Sequence, residues 1–270
     1  MRFLILGNGY IGNYLLKRLP GAEMEMSNIK CKKSVKEALK DVDPRATIIN
    51  CIGKTGRPNI DWCEDNVADT IQANIMVPQW IAEVCQKRKQ HWIHVGSACI
   101  YDGYERPWSE MDEPNFFGSV YSKTKSLSQQ ALEEYRYALI LRIRMPIDED
   151  MHERCYISKL LKYIEEGRTL FNEKNSMTYL PDLVDVIKTL TAVRATGTYN
   201  VVNPGPMTAE EVLKIYDPNV RPAILPKEVV EQNLKAKRSN CVISAERLES
   251  LGIILPDMAT RIRELKARIS

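Results

Sequence analysis

The sequence predicts an α/β fold in which a doubly wound parallel sheet carries a smaller C-terminal lobe. Three observations predict it. Short apolar runs alternate with amphipathic stretches of helical length through the first half of the chain. A glycine-rich turn, Gly7-Asn8-Gly9-Tyr10-Ile11-Gly12, joins the first apolar run to the first amphipathic stretch. After residue 146 the alternation loses its regularity and prolines multiply.

Each element has its own warrant. Residues 2–6 (RFLIL) read as a short strand, and residues 10–19 as a helix that Pro20-Gly21 ends. Residues 22–27 give a second strand, residues 34–41 a polar helix, and residues 46–51 (ATIINC) a strand buried on both faces. Beyond the loop GKTGRPN, residues 65–87 read as one long helix with Ile71, Ile75, Trp80, Ile81 and Val84 as its apolar markers. Residues 92–95 form the next strand, ending at Gly96-Ser97. A loop rich in Asp, Glu, Pro and Gly runs to residue 118, then a helix over 119–135 and a strand over 138–143. Residues 157–166 and 183–193 read as helices, and residues 198–202 as a strand returning to the sheet. The expected division is a dinucleotide-binding domain over 1–146 and a substrate-binding lobe over 147–270, with no sharp linker between them.

Composition narrows the partners. With 270 residues, 44% hydrophobic and 27% charged, the chain has the balance of a soluble globular protein with room for both parts. A net charge of +3 is too small to argue for nucleic acid, whereas a local basic pocket for phosphates fits it. The seven cysteines show no CxxC pair and no zinc-like spacing, so no metal is expected. No secretory signal precedes the first strand, and the thiols are expected to be reduced in a cytoplasmic setting. No apolar run approaches the roughly 20 residues a membrane helix needs.

The glycine turn follows a strand and opens a helix, the arrangement that brings backbone N–H groups and the positive helix end to a pyrophosphate. Without a ligand the same letters make only a tight turn. A carboxylate that reads a ribose 2′-hydroxyl belongs about 20 residues on, at the end of the second strand. Placing that end at Ser27-Asn28 finds no carboxylate there; Lys30, Lys32 and Lys33 follow. This suits a 2′-phosphate and hence NADPH over NADH, and it equally suits a solvated basic loop. Cys51 and Gly53, in the small-residue turn that ends the third strand, can pass beside such a cofactor. Asn74 reads as a packing or surface residue, with a role in the site as the alternative, Cys51, Cys63 and Cys85 as core, and His91 and His94 as structural.

Of the 12 tyrosines, only Tyr121 has a lysine four residues on, Lys125, which shares its face of a helix. A nearby ammonium lowers a phenol pKa, and a hydroxyl such as Ser97 can hold a carbonyl oxygen while Tyr121 protonates it. That set suits ketone reduction. Cys99, two residues past the serine, adds a thiol, an acid/base group that reduction does not use; read alone, it is a buried residue at a strand end. Arg57, Arg144 and Arg238 suit a diphosphate, because guanidinium gives paired hydrogen bonds to its oxygens. Asn115, Asn175 and Asn240 suit sugar or base, and surface roles fit some of these six.

The glycine turn, the serine after the fourth strand and the YxxxK helix together resemble the extended short-chain dehydrogenase/reductase superfamily. The stretches TGRPNIDWCE (55–64), PNFFGSVYSKTK (114–125), LRIRMPI (141–147), NSMTYLPDL (175–183) and RSN (238–240) resemble the plant nucleotide-rhamnose synthase/epimerase-reductases, themselves similar to bacterial dTDP-4-dehydrorhamnose reductases. The segment from Ser97 to Tyr101 also resembles that of GDP-fucose synthase. The resemblance implies a Rossmann-type fold and epimerisation at C3 and C5 with reduction at C4 of a nucleotide-linked 4-keto-6-deoxyglucose. UDP is favoured over dTDP. It implies reductase roles for Ser97, Tyr121 and Lys125, with Lys125 on the nicotinamide ribose. It implies epimerase roles for Cys99 and Lys159; read alone, Lys159 is a solvated helix position, and His152 is the rival partner. The glycine turn is one residue shorter than the family's GxxGxxG. A separate 4,6-dehydratase is expected to supply substrate. A homodimer is expected by analogy, through the helices near 65–87 and 119–135. Simple 4-reduction and a non-catalytic NADP-binding regulatory subunit are the competing readings.

Overall fold

The computed structural model describes residues 1–269. Its first half lays down β1 (Phe3–Leu6), α1 (Tyr10–Arg18), β2 (Ala22–Glu25), α2 (Lys32–Ala38) and β3 (Thr47–Asn50). Then come α3 (Asp61–Asp65), α4 (Val67–Ile71), a π-helical turn (Gln72–Met76), α5 (Val77–Arg88) and β4 (Trp92–Ser97). β5 (Gly103–Trp108), α6 (Val120–Glu133), β6 (Ala138–Ile143) and β7 (Pro146–Ile147) follow. The second half holds α7 (Tyr156–Glu165), β8 (Asn175–Tyr179), α8 (Leu180–Ala192), β9 (Gly197–Asn200), β10 (Asn203–Met207) and α9 (Ala209–Tyr216). It closes with α10 (Lys227–Glu231), β11 (Cys241–Ile243), α11 (Glu246–Glu249) and α12 (Met258–Ile269).

Six strands form one parallel sheet in the order β2-β1-β3-β4-β6-β9. Side chains alternate across it, and both faces are covered, so the strands read as continuous apolar runs. Phe3, Ile5, Ile49 and Leu139 pack with Leu15 of α1 and Leu183 and Ile187 of α8. Leu4, Leu6, Ile48 and Ile140 pack on the other face with Val35 of α2 and Ile81 of α5. A third cluster, including Ile157, Leu160, Met177, Val212 and Ile262, is the lobe's own core. The lobe carries the three-stranded sheet β10-β8-β7, while β9 returns to the main sheet as expected. No helix among the described residues is long and apolar enough to cross a membrane.

Three expectations are corrected. The long helix over 65–87 is interrupted at Asn66, whose φ and ψ are −126° and 54°, and again by the π-helical turn. Pro78, at the start of α5, lacks the N–H that a continuous α-helix needs there. The loop before residue 118 contains β5, paired in parallel with β11; a pair only two strands wide tolerates the proline in GYERPW. β2 ends at Glu25, two residues before Ser27, so a carboxylate does stand at its end. It accepts the Ser27 N–H at 2.7 Å.

The glycine turn is sterically closed at its base. A Cβ on Gly12 would lie 1.9 Å from the Gly7 carbonyl oxygen, and Gly7 itself has φ +107°. Gly12→Ala is therefore expected to cost roughly 1–3 kcal/mol as α1 is forced off the sheet. Urea denaturation measures it; an unchanged midpoint would show that the turn yields freely.

Candidate active site

The carboxyl ends of β1, β3, β4 and β6 open into a cleft of about 430 Å³ whose far wall is the lobe. The turns after β1 and β3 flank its floor, at the point where successive strands leave β1 in opposite directions. Gly9, Tyr10 and Ile11 line it, as do Cys51 and Gly53. Gly7, Asn8 and Gly12 shape the turn beneath without facing the cleft. Lys30 stands outside it, exposed, and Lys32 is spent on Glu83.

β4 delivers Ser97 and Cys99. The Ser97 hydroxyl accepts the Cys99 N–H at 3.1 Å, turning the chain as it leaves the sheet. α6 delivers Tyr121 and Lys125 one helical turn apart. Its start is fixed by Ser119, whose hydroxyl accepts the Ser122 N–H at 3.0 Å. Burial raises the Tyr121 pKa, and Cys99 adds to this, while a hydrogen bond with Ser97 and the Arg144 charge oppose it. The phenol is therefore a neutral donor. The expectation that Lys125 would pull it down fails, because the lysine turns elsewhere. Its Nζ lies 3.4 Å from the Val95 carbonyl and 3.5 Å from His94 Nε2. Burial lowers Lys125 to about 8.

Arg144 leaves β6 at the cleft's back, 1% exposed. Its five N–H groups are all used. Nε donates to Asn175 Oδ1 at 3.0 Å and Nη1 to Cys99 Sγ at 3.4 Å and Ser239 Oγ at 3.1 Å. Nη2 donates to Asn175 Oδ1 and to the Ser239 carbonyl. No carboxylate among the described residues touches it. The paired hydrogen bonds to a diphosphate foreseen for Arg144 are thus unavailable. Asn175 and Asn240 are likewise committed to holding this network, Asn175 donating to Asn240 Oδ1 at 3.0 Å. Asn115 closes a turn on Asp102 at 2.9 and 2.8 Å, and Arg57 points outward, 3.8 Å from Glu153. Arg238 lines the cleft with one arm on Asp61 at 2.9 Å.

α7 supplies what the sequence reading missed. Tyr156, Lys159, Leu160 and Tyr163 fall on one helix face and line the cleft together. Only Lys159 was singled out, although the spacing was legible. Burial, then the Arg154 charge, lowers its pKa. Arg154, a cation that the sequence analysis does not single out, also lines the cleft. His152 stacks on Tyr10 at 4.7 Å and stays outside. Asn74 is structural as read. Buried in the π-helical turn, it accepts the Lys54 N–H at 2.7 Å and donates to the Lys54 carbonyl and Thr124 at 3.1 Å each.

Because the fold lowers the Lys125 pKa, the unfolded chain binds that proton more tightly. Stability then rises with pH between about 8 and the ordinary lysine value near 10.4. Lys125→Met is expected to stabilise the unliganded protein at pH 7 by roughly 2–3 kcal/mol, an advantage that shrinks through that window. Denaturant melts at several pH values read it, and a variant less stable than wild type at pH 7 would contradict it.

The model of the RmlD substrate binding domain matches residues 1–269. The crystal structure of the UDP-rhamnose synthase of Acanthamoeba polyphaga mimivirus superposes with a TM-score of 0.92 at 31% identity, covering 99% of each chain. The bifunctional dTDP-4-dehydrorhamnose 3,5-epimerase/dTDP-4-dehydrorhamnose reductase of Arabidopsis thaliana is 31% identical over 265 residues, 92% of this chain and 86% of its own. The dTDP-4-dehydrorhamnose reductase of Bacillus anthracis, solved in complex with NADP, shares the fold with a TM-score of 0.84 at 19% identity, over 100% of this chain and 99% of its own. With the parallel sheet, the serine–tyrosine–lysine set and a match along its described length, the chain belongs to the RmlD substrate-binding-domain family of nucleotide-sugar reductases.

Proposed function

We propose that the chain is a bifunctional 3,5-epimerase/4-reductase that converts UDP-4-keto-6-deoxy-D-glucose to UDP-L-rhamnose with NADPH. The observation that carries it is the convergence of Ser97, Tyr121 and Cys99 from the sheet side with Lys159 from the lobe on one cleft. Residues 1–146 hold the cofactor in this reading, and 147–270 supply the facing wall.

The residues fit the cofactor. A Cβ on Gly9 would meet nothing within 4 Å, so the turn faces open space, and α1 begins without a side-chain cap. Its first N–H groups are free for a pyrophosphate. Gly9, Tyr10 and Ile11 would cradle it, Cys51 and Gly53 would flank it, and Lys125 would meet the nicotinamide ribose. NADPH, when bound, supplies the hydride for C4. Glu25 accepts the Ser27 N–H, and with Lys32 paired to Glu83 it is Lys30 and Lys33 that would serve a 2′-phosphate in this reading.

The cleft lining includes Lys125, Arg144, Arg154, Lys159 and Arg238, and no Asp or Glu. Such a field suits a nucleoside diphosphate and an enolate. A C4 ketone acidifies the protons on C3 and C5. Cys99 and Lys159, from opposite walls, remove and return them; Arg144 donates to the sulfur while it carries charge. Ser97 and Tyr121 hold O4 by hydrogen bonds. Tyr121 then protonates O4 as C4 is reduced. Water elimination by a 4,6-dehydratase must precede this reaction, since the substrate is already a 4-keto-6-deoxy sugar. The enzyme runs in the cytoplasm, where its seven unpaired cysteines stay reduced. It pairs as a homodimer through Val67, Ile71 and Leu127, which stand exposed on α4 and α6. The Arg144–Cys99 bond also favours a second reading, 4-reduction alone, with the thiol as an anchor for the guanidinium.

Incubation with NADPH and UDP-4-keto-6-deoxyglucose, read by absorbance and by NMR of the sugar, separates the two. A rhamnose product supports both activities; reduction without inversion at C3 and C5 leaves the 4-reductase. Cys99→Ser is expected to slow inversion by about 10²–10⁴-fold while an already epimerised sugar is reduced normally. Equal loss of both steps would sink this division of labour. Tyr121→Phe should lower reduction by a similar 10²–10⁴-fold, and a near-normal rate would remove its role as proton donor.

A further inference from the structure

His94 is buried, opposite Asn50 in the β3–β4 register, with its ring between that asparagine and Lys125. The Asn50 amide has a fixed orientation, because its Oδ1 accepts the Ile52 N–H at 3.0 Å. Its Nδ2 therefore points to His94 Nδ1, at 3.0 Å. An amide NH₂ only donates, so Nδ1 must present a lone pair. The ring proton then sits on Nε2, facing Lys125 Nζ at 3.5 Å. A hydrogen bond between them exists only when Nζ is a free amine. The other neighbour, the Val95 carbonyl at 3.4 Å, accepts from either form. An ammonium here would meet one acceptor and one donor in a buried site.

We infer that His94, held by Asn50 as its Nε2–H tautomer, is a positioning residue that biases Lys125 toward the free amine. The other titratable groups facing Nζ are the thiols of Cys51 and Cys99, which favour the ammonium, with Tyr121 one turn earlier on α6. Burial keeps His94 neutral, and Lys125 acts in the same direction. A free amine spares the site a second buried cation beside Arg144 and leaves Nζ a lone pair that can take up a proton during turnover.

The consequence for turnover rests on the role proposed for Lys125, but the tautomer does not. It is read by nitrogen NMR on protein without substrate or cofactor, where only three histidines need assignment. The expected spectrum has His94 protonated on Nε2 and bare at Nδ1. Lysine-labelled protein, with Lys125 assigned from Lys125→Met, gives its titration midpoint. His94→Phe should raise that midpoint by one pH unit or more, a tenfold gain in proton affinity. His94→Gln, whose amide oxygen can face Asn50 and its NH₂ face Lys125, should restore the wild-type value. A proton on Nδ1, or a midpoint unmoved in His94→Phe, overturns the inference. If His94→Phe does not fold, the wild-type spectrum and the Gln variant still decide it. Failed turnover with the expected tautomer would count against the proposed reaction alone.

Discussion

A guanidinium without a carboxylate holds the cleft together. Arg144 leaves the sheet at the end of β6, reaches β8 through Asn175, reaches the strand β11 approach through Ser239, and touches Cys99 behind β4. Burying a cation is costly, and here the cost is met by five hydrogen bonds to neutral groups, leaving the charge uncancelled. Sheet and lobe are thereby fixed at one atom group, and the residual field points where an anion or a developing oxyanion is wanted. Most of the other polar residues nearby, Asn175, Asn240 and Ser239, serve this cation before they serve any ligand.

Charge and burial divide the remaining labour. Lys125 and Lys159 face the same cleft from opposite walls, and desolvation lowers the pKa of both. Tyr121 moves the opposite way, since an acid resists charging in the same environment that makes a base resist protonation. In the proposed reaction, a neutral acid and softened bases would serve the proton transfers on both faces of the sugar ring.

The parallel sheet, the glycine turn, Ser97, Cys99, the Tyr121–Lys125 pair and Lys159 were legible in the sequence, because each depends on local spacing or on motif resemblance. What escaped depends on partners distant in the chain. Arg144, Asn175 and Asn240 look like free ligands for a substrate until their mutual hydrogen bonds are seen across 31 and 65 residues. Asn115 and Arg57 carry the right chemistry and face elsewhere. β5 was hidden because its partner, β11, lies more than 130 residues on, and a two-stranded pair needs little apolar patterning. Strand β2 ended early for a local reason: Glu25 turns back to cap Ser27, and a polar edge strand gives the eye no apolar boundary to follow.

The span of Arg144's partners also orders events during synthesis. Ser239 lies 95 residues beyond Arg144. While the ribosome extends that stretch, the sheet through β6 can already be laid down, yet Arg144 still keeps water where Asn175 and Ser239 later stand. The nascent chain therefore carries an unfinished polar seam until the segment around β11 emerges, a window in which exposed surface invites chaperone capture. Binding competence arrives late and abruptly, with the last strand that completes the seam.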